Sequence, residues 1–338
     1  MFAPSSTETC LITDPGIPTL AKAFDPVVLG VCLPEVLPSE WGMIRDVRLQ
    51  VLKHHPGKRC TFEITLGTTI GCHSLIGKVY AADRPDIYES MDKIRRAGFG
   101  EGQEFSIPRP LGYLPELRLL LQEKVEGIRA KAIFLEGSDR DRTVTAERCA
   151  RWLAQFHAKA PKAGPVFEIT EHLASMERWS CRTAEGAGAS AGKAARLFDR
   201  LQLAASRLSS VEMCAGHGSY NHAQIILTKD RTITFDWDSY DVADPCRDVA
   251  RFIVDLQRLA LKHLGSMRTL NAAGEVFLKT YVAAGRSDVL TRLAFQKAAI
   301  YLDHAKHDVH KQVPGWPERV EATLDEGLRV LGEGVEVE

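Results

Sequence analysis

The stretch Cys214–Ile253, CAGHGSYNHAQIILTKDRTITFDWDSYDVADPCRDVARFI, decides how the rest of the chain is read. Ile225 to Thr228 is a short apolar run, Lys229 to Arg231 a polar turn, and Thr232 to Phe235 β-branched and aromatic, so the pair reads as a hairpin. The polar loop His217 to Gln224 leads into the first strand, and Asp236 and Asp238 follow the second. The hairpin thus brings these two groups of polar residues side by side. Two acids spaced two apart in locally extended chain can both reach a divalent cation, and oxygen ligands of this kind suit magnesium. An Asp-x-Asp that merely ends a strand in a polar turn is the plainer alternative. Downstream, Asp244 can cap a helix whose first turn holds Pro245, with Val249, Phe252, Ile253 and Leu256 at helical spacing.

The order of these parts resembles the aminoglycoside phosphotransferase and choline kinase-like family, whose loop reads His-Gly-Asp-x-x-x-x-Asn before a strand ending in Asp. The matching positions are His217, Gly218, Ser219 and Gln224, then Asp236, with Ala243 to Pro245 and Asp248 matching the entry to the next helix. The likeness spans most of the chain. It implies an α+β, bilobal protein kinase-like fold, with a small antiparallel-sheet lobe and a larger, mostly helical lobe. It also implies ATP and Mg2+ as cofactors and a hydroxyl-bearing small molecule as acceptor.

Two positions depart from the pattern. Ser219 stands where the family has its catalytic aspartate, and Gln224 where it has a metal-binding asparagine. In phosphoryl transfer that aspartate orients the acceptor hydroxyl and takes its proton, while most of the catalysis comes from positioning and charge stabilisation. A serine is no base near pH 7. Either Asp238 or His222 takes that role, or the chain binds nucleotide without turning it over. Gln224 keeps a hard amide oxygen on a longer stem. The resemblance gives Gln224 and Asp236 as metal ligands, to which the Asp-x-Asp spacing adds Asp238, and it gives His217 a bracing role in the loop.

Residues 1–41 are rich in Pro, Ser and Thr and are expected to form an irregular arm or short helices. The small lobe is expected at 42–126. Val47 to Lys53, Cys60 to Leu66 and Leu75 to Tyr80 are strand-like, and the turn His54 to Arg59 joins the first two antiparallel. Ile87, Met91 and Ile94 share a helix face ending near Gly98, and Leu117 to Val125 gives another strand. Within the resemblance, Lys78 contacts the nucleotide phosphates. Glu89 is its acidic partner and Asp92 the fallback. Backbone groups of Gln122, Glu123, Lys124 and Val125 bond the adenine. A lysine in a strand is otherwise a solvated edge residue. Pro56-Gly57 with Lys58 and Arg59 is the only candidate phosphate cover.

Residues 127–338 are expected to form the helical lobe, beginning with Cys149, Trp152, Leu153 and Phe156 behind a Thr145 cap. Glu185 to Gly192, EGAGASAG, reads as a solvent loop. A Walker A reading of it fails, because Ala187 and Ala194 occupy the required Gly and Ser/Thr positions. His304, His307 and His310 recur every third residue, which on a helix drifts around the surface and suits a solvated face better than a metal site.

Composition narrows the class. With 338 residues, 26% charged and a formal net charge of -1, the chain lacks the basic surface of a general nucleic-acid binder. No apolar run reaches the roughly 20 residues that span a bilayer, and MFAPSSTETC lacks a secretory layout, so a cytoplasmic location without membrane association is expected. Eight cysteines are scattered singly, with no Cys-x-x-Cys pair to signal zinc. The leading expectation is an ATP-dependent phosphotransferase acting on a hydroxyl of a small molecule. The alternative is a pseudokinase presenting its large-lobe surface to a protein partner. Transfer of the adenylyl group is a third possibility.

Overall fold

The structure is a computed structural model describing residues 13–285 and 287–333. The chain divides into two compact units. One runs through Gly102 and resumes at Ile107–Glu126. The other comprises Gln103–Ser106 and everything from Gly127 onward. The expected N-terminal arm falls partly on residues 1–12, which lie outside the described residues, as does Cys10.

The first unit opens with two short helices, α1 (Leu20–Ala23) and α2 (Pro26–Cys32). Asp25 caps α2 by accepting from the Val27 N–H at 2.8 Å, ahead of Pro26 at the first helical position. Three long strands follow: β1 (Ile44–His55), β2 (Arg59–Thr68) and β3 (Cys72–Tyr80). After α3 (Pro85–Ile94), the chain leaves for β4 (Phe105–Ser106) in the other unit, then returns for β5 (Pro110–Leu114) and β6 (Leu119–Glu123). The sheet order is β1-β2-β3-β6-β5, antiparallel throughout.

Alternation along β2 sets the core of this unit. Cys60, Phe62, Ile64 and Leu66 are buried while Thr61, Glu63 and Thr65 are partly exposed. Against the buried row pack Leu20, Phe24, Leu29 and Leu33, so the segment before β1 completes the core of the small unit. Each such side chain contributes about 1.5–3 kcal/mol through burial. The turn between β1 and β2 has Gly57 at φ 68, and the Asp14 carboxylate secures it by accepting from the Gly57 N–H and bonding His54 Nε2, both at 2.8 Å.

The second unit is mostly helical. Its elements begin with β7 (Ile128–Arg129), α4 (Ala130–Glu136), α5 (Asp139–Lys159), α6 (Ile169–Gly186) and α7 (Ala191–Ala205). Next come β8 (Cys214–Gly216), β9 (Ile225–Leu227), β10 (Thr232–Thr234) and β11 (Asp241–Ala243). Four helices finish the unit: α8 (Pro245–Leu264), α9 (Asn271–Ala283), α10 (Leu293–Lys311) and α11 (Trp316–Glu333). Two small sheets, β4-β10-β9-β7 and β11-β8, support the loops between these strands.

Three local expectations change here. α5 starts at a Ser138–Asp141 capping box, so Thr145 lies buried inside the helix rather than capping it. The first two turns of α5 are polar, and no apolar period marks their start. EGAGASAG is largely helical: α6 runs to Gly186, Gly188–Ser190 forms a 3-10 turn, and α7 begins at Ala191. In the His-rich segment of α10, His304 turns inward to Asp255 while His310 is exposed. Asp244 caps α8 by accepting from the Cys246 N–H at 2.8 Å, with Pro245 in the first turn. Among the described residues no helix is long and apolar enough to cross a membrane.

Candidate functional site

The expected hairpin of β9 and β10 forms, with Thr232 opposite Leu227 and Thr234 opposite Ile225. The loop before it is fixed from below by α8. Asp248 accepts the backbone N–H groups of His217 at 2.7 Å and Gly218 at 3.0 Å. Burial alone would raise the Asp248 pKa, but the hydrogen bond to His157 and the charge of Arg247 outweigh it and hold the carboxyl well below the usual range. The result is a buried anion clamping a loop backbone. Gly218 sits at φ 78, and a Cβ there would run into the Ser239 carbonyl, so only glycine fits.

His217 is buried, with Nε2 at 3.2 Å from the Phe235 carbonyl and Nδ1 at 3.4 Å from Ser219 Oγ. Tyr220, three residues after His217, donates to the Cys149 carbonyl at 2.8 Å and stacks on Trp152 and Phe252. An aromatic floor and a buried carboxylate therefore leave the loop little freedom.

On this support the polar side chains converge. Gln224 Nε2 donates to Ser219 Oγ at 3.1 Å and to Asp236 Oδ2 at 3.3 Å. Asn221 Nδ2 donates to the Ser219 carbonyl at 2.8 Å and to Gln224 Oε1 at 3.2 Å, while its Oδ1 accepts from Ala223 N. The two residues that depart from the family pattern are thus bonded to each other and to Asp236. Asp236 itself is left-handed at φ 75, an uncommon conformation for a side-chain-bearing residue and one that clusters at functional sites. Trp237–Ser239 then makes a 3-10 turn, so Asp236 and Asp238 lie on a tight turn and not on the extended segment expected from the spacing. Both are part-buried.

The oxygen donors fit a hard cation in type. For Gln224 to serve, its amide must rotate so that Oε1, rather than Nε2, faces the Asp236 side. No group of three or more His, Cys, Asp or Glu side chains gathers into a metal set among the described residues. His222 is 7% exposed, with Nε2 at 3.2 Å from the Asp255 carbonyl. Burial, helped by the charges of Lys131 and His263, pushes its pKa down.

In the first unit, Lys78 is buried mid-strand on β3, with Thr61 and Leu120 as its cross-strand neighbours. Gly77 before it meets Phe62, where a Cβ would stand 3.0 Å from the ring. Glu89 lies exposed on α3. Gln122 is buried in β6, and Glu123 ends that strand with its carboxylate on the Arg109 N–H at 2.9 Å. Lys124 and Val125 follow the last sheet pair, and Lys124 Nζ contacts Glu63 at 2.8 Å.

Sequence reading missed Asn221, His157 and Arg129. Asn221 followed by a polar residue is a recognisable side-chain turn signal. Arg129, which donates to the Ala223 carbonyl at 3.1 Å and covers the Phe235 ring, and His157 carry no local pattern. Only the tertiary fold brings them to the loop.

A family model described as the phosphotransferase enzyme family matches residues 67–295, more than half of the chain. The chain belongs to that family. Solved structures agree on the fold of this phosphotransferase family member. A choline/ethanolamine kinase family protein from Mesorhizobium loti is 13% identical, with a TM-score of 0.57 over 84% of this chain and 88% of that one. A thermostable mutant of aminoglycoside phosphotransferase APH(4)-Ia, in ternary complex with ADP and hygromycin B, is 13% identical, with a TM-score of 0.60 over 86% and 96%. Macrolide 2′-phosphotransferase MphH from Brachybacterium faecium is 15% identical, with a TM-score of 0.54 over 88% and 98%. No match was found among curated protein sequences. The fold is kinase-like and α+β, as the sequence led one to expect.

Proposed function

We propose that this phosphotransferase family member moves the terminal phosphoryl group of ATP onto a hydroxyl of a small molecule. The observation that carries the reading is the hydrogen-bonded set Ser219, Gln224 and Asp236 on a loop clamped by Asp248. In this reading Lys78 holds the nucleotide phosphates, Glu89 is its acidic partner, and backbone groups at Gln122, Glu123, Lys124 and Val125 take the adenine. Asp236, Gln224 and Asp238 are the residues for magnesium, which when bound would neutralise phosphate charge.

Ser219 orients the acceptor hydroxyl. The bond from the γ-phosphorus to the bridging oxygen breaks, a bond to the acceptor oxygen forms, and the hydroxyl proton passes to Asp238. His222 is the weaker candidate, because its Nε2 is occupied by the Asp255 carbonyl and its lowered pKa disfavours taking a proton. Isothermal titration tests the reading. Magnesium-dependent ATP binding should vanish in Asp236→Ala and weaken in Lys78→Ala, and unchanged affinity in both removes the assignment. A pseudokinase would bind ATP in the same way yet show no transfer to any hydroxylated acceptor.

A further inference from the structure

A cavity of about 380 Å³ opens in the second unit, walled by α4, α8 and α10 and by residues Asn221 to Ala223 of the loop just described. Five Lys or Arg side chains line it, against two aspartates. Both aspartates are already engaged. Asp308 pairs with Arg258 at 2.5 Å, and Asp255 with His304 at 2.5 Å. Lys131, Lys262 and Lys311 line the same space from three different helices and make no ion pair among the described residues. In a chain of net charge -1 this is a local surplus of positive charge.

The floor supplies the second observation. His222 lines the cavity, is nine-tenths buried, and its Nδ1 has no hydrogen-bond partner. Since Nε2 faces a carbonyl, which can only accept, Nε2 carries the proton in the neutral ring. Nδ1 is then an unpaired acceptor shut off from solvent, which a ligand hydroxyl reaches once the His222 ring turns toward the cavity. A buried polar atom without a partner is destabilising, and a ligand hydroxyl would relieve it.

We infer that this cavity binds a small molecule carrying both an oxyanion, phosphate or carboxylate, and hydroxyl groups. The three lysines take the oxyanion and His222 Nδ1 takes a hydroxyl. Because Asn221 belongs to both the cavity wall and the Ser219–Gln224 network, the ligand is either the acceptor itself, which rests on the phosphotransfer reading, or an effector bound against the loop.

The test uses the full chain without magnesium or nucleotide, titrated with glucose 6-phosphate, glycerol 3-phosphate, gluconate and uncharged glucose. The charged probes should bind saturably and glucose should not. Lys131→Gln/Lys262→Gln/Lys311→Gln, which changes part-exposed and exposed side chains, should weaken charged-probe binding at least 10-fold while melting like the parent. Equal binding by parent and variant, or no saturable binding of any charged probe, overturns the inference. Asp236→Ala should lose ATP binding yet keep probe binding, which separates this site's failure from that of the transfer reading. With ATP and magnesium present, phosphorylation of the probe marks an acceptor, and a changed rate of ATP turnover without probe consumption marks an effector.

Discussion

Asp248→Asn removes the buried charge that clamps the loop. The carboxylate accepts two backbone N–H groups, from His217 at 2.7 Å and Gly218 at 3.0 Å. Asparagine keeps the shape but offers one oxygen and one N–H, so one backbone donor must face another donor. Each hydrogen bond to a charged acceptor is worth about 1.5–3 kcal/mol, and stranding partners of a buried charge costs about 3–5 kcal/mol. A loss of about 3–5 kcal/mol at pH 7 is therefore expected in urea melts of the unfolding transition that includes the helical unit. The pH dependence sharpens the test. The folded pKa is depressed below the unfolded carboxylate value near ~4, so the contribution is complete above that pH and fades as pH falls below it. The gap between parent and Asp248→Asn should thus narrow steadily as acid is added below about pH 4. A gap under about 1 kcal/mol at pH 7, or one that does not change between about pH 5 and 2, would refute the clamp.

Gly218→Ala forces a Cβ onto the Ser239 carbonyl at a φ of 78, so at least about 1–3 kcal/mol of strain should appear in the melt, with ATP affinity falling as the loop shifts. Ser219 and Gln224 are bonded at 3.1 Å, so their substitutions should not add. Ser219→Asp alone places a second carboxylate beside the Gln224–Asp236 pair. In a double-mutant cycle of ATP binding, Ser219→Asp with Gln224→Asn should recover at least about 0.5 kcal/mol over the sum of the singles, and strict additivity would show that the two positions act separately.

How much of this was legible follows from how far each constraint reaches along the chain. The β9–β10 hairpin and the capped start of α8 depend on residues within a few positions, so their order could be read directly. So could the alternation in β2, where one row of side chains faces the core. The start of α5 could not, because Ser138 to Thr145 carries capping chemistry without an apolar period. Nor could the packing of Leu20, Leu29 and Leu33 against β2 and β3, since the Pro- and Ser-rich texture of that segment hides their partners some forty residues away. At the site, the sequence marked Ser219, Gln224 and Asp236 as odd or acidic one by one. Their bonding to one another needed the left-handed turn at Asp236, which no neighbouring residue type demands. The basic cavity is the extreme case: Lys131, Lys262 and Lys311 lie on three helices well apart in sequence, each an ordinary surface lysine locally. A charge surplus assembled from such separate contributions leaves the net charge of the chain near zero, so composition argued against bulk-charge partners while saying nothing about one concentrated anion site.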